Sequence, residues 1–137
     1  MRNYAGAVIA VDTNVVVRLL TGDDSTQFAR ANKLFEVDTI FLPKTVVLET
    51  EWVLRILYGL PAQDIVRALS ALVALPQVRS EDASTVVEAL EFSRRGVDFA
   101  DALHIVSSRM AERFATFDRT LIRRARASAT HIVVASP

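Results

Sequence analysis

Short apolar runs alternate with longer segments of helical periodicity along the chain, and this alternation constrains the fold more than any other feature. The runs begin near Val8, Thr39, Gln77, Arg113 and His131, and each has the length of a buried strand. Between them, apolar residues recur every three or four positions, as on one face of a helix. Strands that alternate with helices predict an α/β fold with a parallel sheet flanked by helices.

The composition is that of one globular domain covering residues 1–137. The chain is 51% hydrophobic with four Gly and four Pro, so it is apolar enough to bury a core. It has no Cys and two His, which excludes disulfide scaffolds and thiol catalysis and leaves oxygen as the expected ligand of any metal. No uncharged run approaches the roughly 18 residues of a membrane helix, and the amino-terminal segment is a poor signal peptide. We therefore expect a cytoplasmic protein without a membrane partner.

Basic charge collects in the last third of the chain, although the formal net charge is zero. Residues 94–126 contain eight Arg and four acidic residues. Arg contacts phosphate in a bidentate manner that Lys cannot reproduce. Solvated helix faces explain the same pattern, so charge alone leaves both a phosphate-binding surface and an ordinary surface open.

Carboxylates follow two of the predicted strands directly. Asp12 and Asp118 each come at a strand end, where parallel sheets bind their ligands. Both also fit the N-cap of a helix, a frequent position for Asp after a strand. Asp101 follows Asp98 by three residues, so this pair fits either a helix cap or a site.

Two glutamates on one predicted helix differ in their sequence surroundings. Glu51 has Arg55 four residues later, which predicts a surface ion pair. Glu49 has no basic residue three or four positions away. It shares a helical face with four apolar residues, Val46, Val53, Ile56 and Leu57. A carboxylate on an apolar face is costly unless it is paired or holds a metal, so Glu49 is the stronger site candidate.

Asp101 shares its helical face with His104 and Ser108, so it is expected to point toward a polar cleft. His104 is expected to be a supporting hydrogen-bonding group rather than a ligand. If Asp12, Glu49, Asp101 and Asp118 converge, two charges about 4 Å apart repel by about 4 kcal/mol at a dielectric of 20. Such carboxylates either share protons or hold cations, and an all-oxygen set suits Mg²⁺ or Mn²⁺.

Four segments together carry a family resemblance. They are Asp12-Thr13-Asn14-Val15 with Arg18 in the helix that follows, VVLETEWVLR at 46–55, GVDFADALH at 96–104 and ATFD at 115–118. In this order they resemble the motifs of PIN-domain ribonucleases, and in particular the VapC toxins of type II toxin–antitoxin pairs. The resemblance runs from about Val8 to Pro137 and so covers nearly the whole chain.

The resemblance implies a PIN-like three-layer fold whose five-stranded parallel sheet carries the acidic residues at its carboxyl edge. It implies that the catalytic and metal-binding carboxylates are Asp12, Glu49, Asp101 and Asp118. Asp98 is either a helix cap or an additional ligand acting through water. Supporting roles fall to Thr13 or Asn14, to Thr116 and to His104.

The implied activity is Mg²⁺-dependent endonucleolytic cleavage of RNA, with Mn²⁺ as a substitute and with either Asp101 or Glu49 taking a proton from water. Four arginines are candidates to bind the RNA backbone: Arg119, Arg123, Arg124 and Arg126. The resemblance also implies a homodimer and a VapB-like antitoxin as partner.

Other functions are compatible with an α/β fold of this kind. A catalytically silent PIN-type interaction module is the alternative, although all four acids are intact. A phosphatase of the haloacid-dehalogenase type needs a second Asp where this chain has Asn14, and a phosphoreceiver domain needs adjacent acids at the first strand end. Both are disfavoured.

Overall fold

Parallel pairing of short strands organises the chain, as the alternating sequence pattern predicts. The computed structural model describes residues 7–128 and 130–137. Contacts between Cα atoms divide the chain into two units, the first ending at Ala83 and the second beginning at Ser84. No helix among the described residues is long and apolar enough to cross a membrane.

The first unit contains a parallel sheet and the helices that connect its strands. The strands are β1 (Val8–Ala10), β2 (Thr39–Leu42) and β3 (Val78–Ser80). The helices are α1 (Thr13–Thr21), α2 (Ser25–Val37), α3 (Lys44–Trp52) and α4 (Ala62–Val73), and a π-helical turn (Val53–Leu57) directly follows α3. β2 lies between β1 and β3 and pairs with both, with Ile40 opposite Ile9 on one side and Val78 on the other.

Local signals set the boundaries of these helices. Gly22 ends α1 with φ of 64°, a left-handed conformation that costs glycine little. The Asp24 side chain caps α2 by accepting a hydrogen bond from the backbone N of Gln27 at 2.9 Å, as its position predicts. The core of the unit centres on β2 and on the apolar faces of the helices around it, and includes Val16, Ile40, Leu42, Leu54 and Leu69.

The second unit contains a two-stranded parallel sheet. Its strands are β4 (Arg113–Ala115) and β5 (Val133–Ala135), and its helices are α5 (Ala83–Arg94), which begins at the unit boundary, α6 (Phe99–Val106) and α7 (Arg119–Ala127). Phe114 pairs with Val134 in the register of the sheet. The core combines apolar side chains of all three helices, among them Val86, Leu90, Ala102, Ile105 and Ala125.

The predicted strands are all present and all their pairings are parallel. In the described residues they form sheets of three and two strands, whereas the family resemblance implies one sheet of five. Four of the strands have only three residues. Apolar runs locate such strands, but they carry no information about which strands pair.

Ser80 is predicted to cap the helix that follows it, and this prediction is wrong. Ser80 is the last residue of β3 and lies opposite Leu42. The backbone N of Glu81 then donates to the carbonyl of Leu42 at 2.9 Å. Because the strand pairing continues past Ser80, the helix begins later, at Ala83.

Candidate active site

The first motif lies where β1 passes into α1. Asp12 caps α1, and its Oδ1 accepts a hydrogen bond from the backbone N of Thr13 at 2.8 Å. Asp12 and Asn14 are exposed, while Thr13 is buried. The capping bond uses one oxygen of Asp12 and leaves the other free to bind a ligand.

The second motif contacts the first through Thr13. The Thr13 hydroxyl donates a hydrogen bond to Oε1 of Glu49, across 36 residues of sequence. Glu49 lies on α3 and is exposed to solvent. The structure therefore places Thr13 where it orients the Glu49 carboxylate, one residue from Asp12.

The structure buries Glu51 and exposes Glu49, which is the reverse of what the sequence predicts for these two residues of α3. The buried face of this helix includes Val47, Thr50 and Glu51, and Glu51 is only 6% exposed. Arg55 donates to Glu51 from Nε at 2.9 Å and from Nη2 at 3.3 Å. The predicted ion pair is thus present, but its carboxylate is inside the protein.

The apolar face used to select Glu49 is not a buried face. Ile56 and Leu57, which were expected to share it, are 51% and 67% exposed. The π-helical turn interrupts the 3.6-residue repeat from which that face was extrapolated. Glu49 remains the candidate because it contacts Thr13 and, among the described residues, has no cationic partner.

In the second unit, two acidic residues begin helices. Asp98 caps α6, with Oδ2 accepting from the backbone N of Asp101 at 3.1 Å. Asp118 caps α7, with Oδ1 accepting from the backbone N of Leu121 at 3.0 Å. Thr116 accepts a hydrogen bond from the backbone N of Asp118 at 3.1 Å, so it fixes the turn that presents this carboxylate after β4.

The pKa of Asp101 shows that charged carboxylates lie near one another in the second unit. Partial burial raises the pKa of Asp101, and the negative charges of Asp98 and Asp118 raise it further. The nearby His104, which is exposed one turn later on α6, acts in the opposite direction on that pKa. Ser108 instead donates back to the carbonyl of His104 at 2.7 Å. The fold of this unit therefore brings like charges into range of each other, as the predicted site requires.

The five predicted site carboxylates are not neutralised by Lys or Arg within the part of the chain that the structure describes. Asp12, Glu49, Asp98, Asp101 and Asp118 form no ion pair with any described Lys or Arg. Elsewhere Asp23 pairs with Arg18 at 3.1 Å and Asp82 with Lys44 at 3.3 Å, whereas Asp24, Asp38 and Glu112 also form no ion pair with a described Lys or Arg.

These carboxylate oxygens are the donor type that Mg²⁺ and Mn²⁺ prefer, so the chemistry of the set fits such an ion. Asp12 and Glu49 belong to the first unit, and the other three belong to the second. Within the described residues of either unit, no group of three such side chains is close enough to hold a metal ion by itself.

The arginines of α7 fall into two groups. Arg119, Arg123 and Arg126 are exposed and are spaced four and three residues apart, which places them on one face of the helix. We call these three the α7 arginine stripe, and none of them is ion-paired among the described residues. Arg124 instead donates to the carbonyl of Gly96 at 3.3 Å, so its side chain holds the loop before α6.

Sequence reasoning missed a polar network around Arg18. Arg18 Nη1 donates to Tyr58 at 3.0 Å and to Asp23 at 3.1 Å, and the Tyr58 hydroxyl donates to Asp23 at 2.6 Å. The hydrogen bonds from Tyr58 and Thr21, together with the Arg18 charge, lower the pKa of Asp23. Tyr58 lies 40 residues from Arg18, and no local sequence signal links the two.

Comparison with known proteins identifies the family of this chain. The sequence model of the PIN domain family matches residues 9–127. Among solved structures, the chain is similar to VapC20 of Mycobacterium tuberculosis, described as a toxin that cleaves the sarcin-ricin loop. The identity is 21% and the TM-score is 0.43, with 90% of this chain and 95% of that chain covered. No curated protein sequence matches. Because the family model covers most of its length, the chain belongs to the PIN domain family.

Proposed function

We propose that this protein is a divalent-metal-dependent endoribonuclease and the toxin of a VapC-type toxin–antitoxin pair. The observation that carries the proposal is that a chain of the PIN domain family has all four acidic residues of the resemblance, with Glu49 hydrogen-bonded by Thr13. Burial and the charges of two neighbouring carboxylates raise the pKa of Asp101, and titratable groups perturbed in this way are typical of functional sites.

In this proposal Asp12, Glu49, Asp101 and Asp118 hold Mg²⁺, or Mn²⁺ in its place, and Asp98 is the candidate additional ligand. When bound, such an ion lowers the pKa of a water molecule and neutralises charge on the scissile phosphate. The chain's own residues prepare the site. Thr13 orients Glu49 through its hydroxyl, and Thr116 holds the backbone of Asp118.

Cleavage of an RNA phosphodiester also requires a proton acceptor and contacts to the backbone of the substrate. Either Glu49 or Asp101 accepts the proton of the attacking water, since both are unpaired carboxylates. The α7 arginine stripe begins one residue after Asp118 and extends for about 10 Å along the helix. It therefore offers positive charge beside the candidate carboxylates of its own unit, where phosphates adjoining the cleaved bond need to be held.

The partners in this proposal are a VapB-like antitoxin and a second copy of the chain, in the cytoplasm. An exposed apolar surface supports them. Trp52, Ile56 and Leu57 are 48%, 51% and 67% exposed, at the end of α3 and in the π-helical turn. Neighbouring apolar side chains left in solvent in this way are typical of surfaces that a protein partner covers.

The deciding experiment is cleavage of total cellular RNA by protein free of antitoxin, with Mg²⁺, with Mn²⁺ and with EDTA. We expect discrete metal-dependent products that disappear with Asp12→Asn and with Asp118→Asn. Asp64→Asn is the matched control, because Asp64 is an exposed carboxylate near the start of α4 that pairs with Arg67 at 3.7 Å and lies outside the predicted site. Equal heats of Mn²⁺ binding in the wild type and both site variants, with no cleavage, would favour the silent interaction module.

A further inference from the structure

A groove between α1 and α2 contains a cavity of about 420 Å³ within the first unit. This volume lies in the range of sites for small organic ligands. Asn14, Val15 and Arg18 line it from α1, and Gln27, Arg30 and Leu34 line it from α2. The apolar side chains provide a surface for a flat ligand, while the polar ones provide hydrogen bonds and charge.

The cavity carries positive charge and has no acidic side chain in its lining. The charge of Arg18 is already balanced by Asp23, at 3.1 Å. The Arg30 side chain is exposed, and its guanidinium forms no hydrogen bond or ion pair with a described residue. One uncompensated guanidinium at the cavity therefore favours a ligand that carries negative charge.

The polar groups are suited to a heterocyclic base. The carbonyl oxygen of Gln27 accepts from Arg18 Nε at 2.8 Å, which leaves the amide NH₂ free to donate. The Asn14 amide has no hydrogen-bond partner among the described residues and offers both a donor and an acceptor. Bases in single-stranded RNA are bound by such amides, by apolar contact and by stacking on guanidinium planes.

One end of the cavity lies at the start of α1. Asn14 follows Thr13, whose hydroxyl donates to Glu49, and Asp12 caps the same helix. From Asn14 to Arg18 the cavity extends one turn along α1, about 6 Å. We propose that this cavity binds one nucleotide of the RNA substrate, next to the cleaved bond, with its base on Val15 and Leu34 and its phosphate on Arg30. This inference rests on the proposed ribonuclease function.

The test measures RNA binding without cleavage. A fluorescein-labelled single-stranded RNA of about ten nucleotides is titrated in EDTA over a range of salt concentrations. Arg30→Gln is expected to reduce the slope of log affinity against log salt by about 0.7, the loss of one phosphate contact, and to weaken binding about eightfold near 50 mM salt. Arg67→Gln is the matched control, because Arg67 is 79% exposed on α4 of the same unit, and it should change neither value.

A second measurement distinguishes binding of the base from binding of the phosphate. Adenosine monophosphate is expected to shift the methyl NMR signals of Val15 and Leu34, whereas inorganic phosphate at the same concentration is not. Equal binding of phosphate and nucleotide would overturn the proposal. An unchanged salt slope in Arg30→Gln would overturn it too, as would binding of an acidic leucine-rich peptide in the cavity with no effect on RNA.

Failure of this inference is distinguishable from failure of the proposed function. If the wild type cleaves RNA with metal while Arg30→Gln binds RNA normally in EDTA, the cavity assignment fails and the nuclease stands. If Arg30→Gln weakens RNA binding and nucleotide shifts the methyl signals, but no metal-dependent cleavage occurs, the nuclease proposal fails, and the cavity is a nucleotide-binding site with no cleaved bond beside it.

Discussion

Two glutamates on α3 receive the same substitution in our principal prediction, and they should respond in opposite ways. Glu49→Gln changes an exposed carboxylate whose hydrogen bond from Thr13 the amide oxygen of glutamine also accepts. Glu51→Gln removes the charge from a buried pair in which Arg55 donates twice. The first change should therefore affect metal binding, and the second should affect the free energy of unfolding.

The size of the effect at Glu51 follows from its surroundings. Hydrogen bonds to a charged group contribute about 1.5–3 kcal/mol. The Arg55 side chain is 38% exposed, so water rehydrates it after the substitution, and we take the lower value, about 1.5 kcal/mol. A chain of 137 residues unfolds with an entropy near 0.29 kcal/mol/K, so the melting midpoint should fall by about 5 °C.

At Glu49 the change in stability should stay within about 0.5 kcal/mol, which is typical of an exposed site, or within about 2 °C. Cleavage of RNA should fall at least about 100-fold. Thermal unfolding by circular dichroism, in EDTA and then in excess Mg²⁺ or Mn²⁺, is the assay that needs no knowledge of the RNA target. A bound metal raises the midpoint, and we expect this increase in the wild type and Glu51→Gln but not in Glu49→Gln.

The reasoning is refuted if Glu51→Gln leaves the midpoint unchanged, because the buried pair would then contribute nothing to stability. It is also refuted if metal stabilises Glu49→Gln as much as the wild type. If metal no longer raised the melting midpoint of Glu51→Gln, at temperatures where that variant is folded, Glu51 would be the metal-binding residue in place of Glu49.

Three further predictions concern charge and surface. The pKa of Asp101 is raised in the folded chain, so its ionisation destabilises the metal-free protein. The contribution of Asp101 to the free energy of unfolding is therefore fully present below the ordinary pKa of Asp, and it is lost as the pH rises through the raised value. Asp101→Asn should therefore raise the melting midpoint in EDTA near pH 7 while it abolishes cleavage, and this gain should vanish in acid; a lower midpoint near pH 7 would contradict it. Alanine at all three positions of the α7 arginine stripe should reduce the salt slope of RNA binding by about 2, while Arg124→Ala should leave it unchanged because that side chain binds Gly96. Leu57→Glu should shift the protein toward monomer in light scattering without lowering its melting midpoint, since Leu57 is 67% exposed; an unchanged dimer would place the interface elsewhere.

Sequence patterns predicted the elements of this fold better than their arrangement. Apolar runs located every strand, and the cap at Asp24 and the glycine at Gly22 marked the boundary between α1 and α2. These signals are local, so they are readable without the rest of the chain. Strand pairing and the end of β3 depend on hydrogen bonds between distant residues, such as that from Glu81 to Leu42, and local patterns do not contain them.

The candidate site was predicted in a similar way. Residue types and spacing singled out the candidate carboxylates, but the helical-face argument for Glu49 failed because the π-helical turn ends the regular repeat on which it relied. The surface assignment of Glu51 failed because its arginine partner, one turn later, allows the carboxylate to be buried. The contact between Thr13 and Glu49 joins two motifs that the sequence shows only as separate segments.

The sequence leaves a capping role and a site role open for these aspartates, and the caps that the structure shows are compatible with the proposed site role. Asp12, Asp98 and Asp118 all cap helices, and Asp101 lies in the first turn of α6. The amino-terminal end of a helix carries partial positive charge, which stabilises a carboxylate there by about 0.3–1 kcal/mol. This stabilisation offsets part of the repulsion among acidic residues that have no cationic partner. Each cap also occupies one carboxylate oxygen and fixes the direction of the other. These helix starts therefore help the chain to keep its acidic residues without Lys or Arg partners and leave one oxygen of each cap for a ligand.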